Sequence, residues 1–231
     1  MKNETINKTR FAQVFRHEWE PAKYWIMVLG CLYAVWALIT FAYYAFFEGT
    51  ESAFARDYFS YETICGMGPV CLTWFLSTRT LVNTSRKRSC ISFMTMPATA
   101  CEKFTARLLT YVVFPFLIAV VGLAVVEVCS LGGRFDFADY CCTYFHAYAL
   151  IAICLAIGAL NSVIIKSFSI IWTAIITFGL VLLYENCHHY IIIKTDFALS
   201  VVELLAGIIV SASLVVLAYR CFCKSNVKQC K

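Results

Sequence analysis

TSRKRSCISFMTMPATACEKFTARLL, residues 84–109, is the longest polar interruption between apolar segments of this 231-residue chain. It carries the densest positive charge, Arg86, Lys87 and Arg88, then the apolar Ile91, Phe93, Met94 and Met96, then Pro97. Beyond the proline, Thr99 and Glu102 have the Thr-x-x-Glu spacing of a capping box, in which each side chain accepts a hydrogen bond from the other residue's backbone amide. A helix is therefore expected to start firmly after Pro97 and to lead into the apolar residues beyond Arg107. The basic and apolar half before Pro97 suits docking in a groove of another protein, although an inner loop bound to lipid headgroups would look similar.

The residues around this stretch read as membrane. Hydrophobic residues make up 61% of the chain and charged residues 14%, with a mean hydropathy of +0.74, which excludes an ordinary soluble surface. A helix needs about 20 mostly apolar residues to cross a hydrocarbon core of about 30 Å. Six segments approach that, roughly 24–47, 61–82, 107–130, 140–165, 168–186 and 198–219. The expected fold class is an all-α membrane protein with one transmembrane domain over residues 1–231. The first apolar run begins only at Tyr24 and lacks a small-residue cleavage site, which reads as an anchor and not a cleaved signal peptide.

Orientation follows from Lys and Arg, which resist translocation. Sixteen of the 19 fall on the N-terminal stretch, the 84–109 loop with its flanks, Lys166 or the tail, and only Arg56, Arg134 and Lys194 fall opposite. Both termini are expected in the cytoplasm, where the sequons at Asn3, Asn7 and Asn83 would stay silent. The net charge of +5 reflects this asymmetry and anionic lipid headgroups, not nucleic acid. The 13 cysteines are scattered in or beside apolar runs and read as small packing residues. Cys221, Cys223 and Cys230 in the tail lack the companions that a metal site would need.

Along the chain, Phe11, Val14, Phe15 and Trp19 recur at helical spacing, so residues 8–20 are expected to form an amphipathic helix on the inner leaflet. Pro21 is expected to stop it or turn it into the first span. Gly66, Gly68 and Pro69 should loosen the second span. Gly158, Ala159, Asn161 and Ser162 near the inner end of the fourth are residues of the type that bring membrane helices close.

Acids within spans are costly and are functional candidates. Counted from the nearest basic marker at about 1.5 Å per residue, Glu62, Glu127, Glu185 and Glu203 come out roughly 25 to 30 Å away, near the outer interface. They could form an acidic ring there, or simply be tolerated where water is near. His188 and His189 beside Glu185 lack a third metal ligand, and Arg79 reads as a snorkelling anchor. No phosphate-binding loop, Gly-x-Ser-x-Gly or His-Glu-x-x-His pattern occurs, so no catalytic, cofactor-binding or metal-ligating residue is expected. Neither inverted repeats nor mid-membrane charges point to a secondary transporter.

Pro97, Ala98, Thr99, Glu102, Lys103, Phe104 and Arg107 occur in the order found in the loop between the second and third spans of type 2 permeases of ABC transporters, the six-helix exporter fold. The chain resembles that family over this motif and, loosely, in its six-span layout; Met96 stands where the family usually has Leu. The resemblance implies a permease subunit in the cytoplasmic membrane that pairs with a second permease chain and with separate ATPase subunits. ATP and Mg would be bound by those partners. It also implies a coupling loop at 84–106 that includes Arg86, Lys87, Arg88, Ile91, Phe93, Met94, Met96, Pro97, Thr99, Glu102 and Lys103. An exporter of lipids, amphipathic peptides or drugs fits the apolar, aromatic spans. Two rival readings are a six-span sensor or scaffold using the same loop, and an intramembrane enzyme using Glu and His near the outer face. The short last external connection and the reduced external surface depart from the family's pattern.

Overall fold

The structure, a computed structural model, describes residues 7–46, 69, 71–76, 97–130, 137–164, 175, 176, 179 and 197–229. Among these, all regular structure is helical: α1 (Lys8–Phe46), α2 (Ala100–Leu108), a π-helical turn (Leu109–Val113), α3 (Phe114–Ser130), α4 (Phe137–Ile164) and α5 (Phe197–Gln229). Three stretches, Lys8–Phe46, Ala100–Cys129 and Ser200–Lys224, are long and apolar enough to cross a membrane. The described residues are thus all helical and of membrane type. Of the six expected spans, most of 61–82 and of 168–186 lies outside the described residues, as do Glu62, Glu185, His188 and His189.

The observed helices overrun the expected spans. The largest difference is at α1, which continues through Pro21 for 39 residues, roughly 58 Å, where a break was expected. Pro21 has no amide hydrogen to give the His17 carbonyl, so something else must hold the helix there. Its buried residues supply the reason. Val14, Glu18, Ala22, Ile26, Leu29, Tyr33, Ala37 and Thr40 follow one another in steps of four and three, one unbroken stripe on both sides of the proline. The apolar residues assigned to an interfacial helix belong to the same packing: Phe11, Phe15 and Trp19 stack in series at 6.2 and 5.9 Å, and Trp19 meets Phe114 of α3 edge-on at 5.2 Å.

The order of contacts fixes how the helices run. Asn7 meets Glu102, Glu18 meets Arg107, Trp19 meets Phe114, and Tyr33 lies against Gly122, so α1 and the α2–α3 rod are parallel. Tyr144 donates to Glu127 at 2.6 Å and Tyr148 to the Val120 carbonyl at 3.2 Å, so α4 descends antiparallel to α3. Ala149 faces Gly207, and Leu160 and Val163 share a cluster with Val215 and Tyr219, so α5 runs alongside α4. The starts of α1 and α2 and the ends of α4 and α5 therefore gather at one end of the molecule.

Leu29, Tyr33, Leu76, Ala119, Leu123 and Tyr148 form the central cluster. Lipid tails are as apolar as leucine, so helices in a bilayer gain from close packing more than from escape from water. Two glycines mark the closest approaches. A Cβ at Gly122 would collide with the Tyr33 ring, and one at Gly207 would stand 2.5 Å from the Ala149 Cβ and 2.9 Å from its Cα. Near the end of α4, Ala159, Asn161 and Ser162 are buried, as small and polar residues at a tight crossing should be.

Candidate functional site

The motif that began at Pro97 folds into a short, firmly capped helix. Thr99 sits in extended backbone, φ −70° and ψ 158°, as the N-cap of α2. Its hydroxyl accepts from the Glu102 amide at 3.2 Å, and the Glu102 carboxylate accepts from the Thr99 amide at 2.8 Å, completing the capping box read from the sequence. Pro97 is exposed just ahead of it.

Glu102 does more than cap its own helix. Its other oxygen accepts from the Asn7 amide at 2.7 Å and lies 3.6 Å from the Arg10 guanidinium. Asn7 is in turn the cap of α1, accepting from the amides of Thr9 at 3.0 Å and Arg10 at 3.4 Å. One fully buried carboxylate therefore serves the N-caps of two helices. Both helix dipoles present their positive ends to it, which favours its charge.

Five residues along α2, Arg107 donates to Glu18 of α1 at 3.1 Å; both residues are 3% exposed. His17 approaches the same Glu18 oxygen at 3.7 Å from the surface. Lys103 is also buried. Across α2 from Glu102, the Phe104 ring lies 5.3 Å from that of Tyr219 and 5.7 Å from that of Phe222, beside buried Ala218 of α5. The helix is thus clasped between the first turns of α1 and the last turns of α5.

α2 passes into α3 through the π turn. The Phe114 amide bonds the Leu109 carbonyl, five residues back, and Thr110 returns its hydroxyl to the Ala106 carbonyl at 2.9 Å. Pro115 follows immediately. It cannot donate to Tyr111 and its ring crowds that carbonyl, and insertion of one residue just ahead relieves the crowding.

Of the residues assigned to the coupling loop, Pro97, Thr99, Glu102 and Lys103 come together at this clasp; Arg86, Lys87, Arg88, Ile91, Phe93, Met94 and Met96 lie outside the described residues. Of the four acids, Glu127 is bonded to Tyr144, and half-buried Glu203 adjoins Leu204, which packs on the cluster containing Tyr148. Asn7, Arg10 and Glu18 went unrecognised in the sequence. Glu18 had a signal: it is an acid in the middle of the stripe Val14, Ala22, Ile26. Among the described residues, no three His, Cys, Asp or Glu side chains are grouped to hold a metal ion. No protein-family model, curated protein or solved structure matches the chain.

Proposed function

We propose that this chain is the permease subunit of an ATP-driven ABC exporter, with six spans, both termini in the cytoplasm of a cell whose inner membrane holds it, and residues 84–106 as the loop that couples it to separate ATPase subunits. A second permease chain, alike or different, completes the substrate path, and lipids, amphipathic peptides or drug-like molecules are the substrate class. The observation that carries the reading is the clasp: a short helix, capped immediately after Pro97, continues through a π turn into a long apolar helix and is gripped by the start of α1 and the end of α5. A lever must be rigid and must touch what it moves. Glu102 and Arg107 would carry a displacement of α2 to α1, and Phe104 would carry it to α5. Because Glu102 and Lys103 are buried within the chain, docking falls to Arg86–Met96 and Pro97. Transport then follows from differential contact of the ATPase with two arrangements of this lever.

Co-purification tests the reading. The chain isolated from its native membrane in mild detergent is expected to retain an ATPase, and alanines at Arg86, Lys87 and Arg88 are expected to release it while leaving thermal unfolding unchanged. Isolation without any ATPase, or an unaltered complex and ATP turnover in the triple variant, would sink the coupling role. A stoichiometric partner without ATPase activity would favour the scaffold reading.

A further inference from the structure

Between α1 and α3 runs a slot of about 370 Å³, lined by Gly30, Ala34, Phe114, Leu117, Val121 and Gly122 among others. Among the described residues its side is open, with Leu117, Val121 and Val125 about half exposed along one edge. Both walls belong to stretches apolar enough to cross a membrane. Gly30 leaves the floor empty: nothing lies within 4 Å of where its Cβ would be. From Phe114 to Val125 the slot follows eleven residues of helix, roughly 16 Å.

The end nearest the helix starts is different in kind. Phe114, which borders it, meets Trp19 at 5.2 Å and Phe15 at 6.1 Å, an aromatic shelf of the type found where hydrocarbon gives way to headgroups. Arg16 and Lys23 lie on α1 at seven-residue intervals from Gly30. Seven residues are nearly two full turns, so both cations share the face of α1 that forms the slot, with Lys23 roughly 10 Å below Gly30. Lys23 pairs with Glu20, a side chain 54% exposed, and such surface pairs are weak enough for a phosphate to compete.

We propose that this slot holds one acyl chain of an anionic phospholipid, with its headgroup held at Arg16 and Lys23. An apolar channel, an aromatic shelf at its mouth and two cations that flank Trp19 of that shelf on the slot's face of α1 match an amphiphile with a negative head. A second copy of the chain fits less well, because a two-fold contact on this face would bring Arg16 and Lys23 toward their own counterparts. The site is independent of the transport reading: it requires only that α1 and α3 lie in a bilayer.

Native mass spectrometry of the purified full chain, titrated with phosphatidylglycerol or with phosphatidylcholine of identical acyl chains, tests it. The expected result is roughly tenfold or greater preference for phosphatidylglycerol, from two basic groups near one phosphate. Arg16→Gln with Lys23→Gln is expected to abolish the preference while the acyl chains still bind. Gly30→Leu, whose Cβ would have nothing within 4 Å, is expected to lower retention of both lipids with no loss of helicity by circular dichroism; Gly30→Ala, with a smaller side chain, is expected to have an intermediate effect. Equal retention of the two lipids by the native chain, or unchanged retention in Gly30→Leu, would overturn the proposal. So would a change of oligomeric mass in Gly30→Leu with lipid count unaltered, which would give the slot to a second copy.

Discussion

Glu18 and Arg107 are charges that an apolar surrounding tolerates only as a pair. Removing one partner of a buried pair strands the other, at a cost of about 3 kcal/mol or more, whereas replacing both by apolar residues of similar volume is often neutral. Glu18→Ala is therefore expected to lower the unfolding temperature in detergent sharply, and Glu18→Met with Arg107→Met to recover most of the loss; a double-mutant cycle with no coupling would contradict the pairing. Glu102→Ala is expected to lose about 2 kcal/mol, one N-cap's worth at each of two helices. Hydrogen exchange should then quicken first at the amides of Asn7 and Thr99, which lose their acceptor, while Glu102→Gln, which keeps an acceptor, is milder. Half of this site could be read from the chain itself. Thr99 and Glu102 are three residues apart, so local spacing reveals them, whereas Asn7 and Glu102 are separated by 95 residues and Glu18 and Arg107 by 89. No periodicity reports a bond of that range.

Helix α1 shows why elements are legible in their middles and not at their ends. Apolar length identifies the membrane-crossing parts of α1, α3 and α5, because the bilayer sets a minimum run. It does not show where a helix stops once neighbouring elements support it, and α1 begins near Lys8, α2 joins α3 from Ala100, and α5 continues to Gln229. Pro21 was expected to mark a boundary because an isolated helix would break there. Contacts on both sides of it keep the helix whole. Pro21→Ala would give the His17 carbonyl a partner, and is expected to raise stability by about 1–3 kcal/mol, read as a higher midpoint in denaturant; a neutral effect would mean that α1 bends there in solution. Gly207→Leu is expected to destabilise by about 1–3 kcal/mol or more, because the Ala149 backbone opposite cannot move aside as a side chain could.

For the molecule as a whole, the gathering of α1's start and α5's end at one pole makes a prediction about sidedness. Reporter tags fused to the two termini are expected to be accessible from the same face of the membrane, and the proposed orientation makes that face cytoplasmic; opposite labelling would contradict the helix directions derived from the contacts. The acidic ring is a whole-molecule idea that sequence could suggest but not assemble, since depth along a helix says nothing about azimuth. Azimuth also governs the clasp. Each residue of an α-helix turns the chain by about 100°, so the additional residue held in the π turn at Leu109–Val113 sets the direction in which α2 faces relative to α3. Tightening that turn by one residue would swing Phe104 out of the cleft between Tyr219 and Phe222 and carry Glu102 away from the start of α1. Every bonding group would survive the change. The grip on the two flanking helices is thus a matter of rotational phase, and it can be released by a twist without altering any group that makes it.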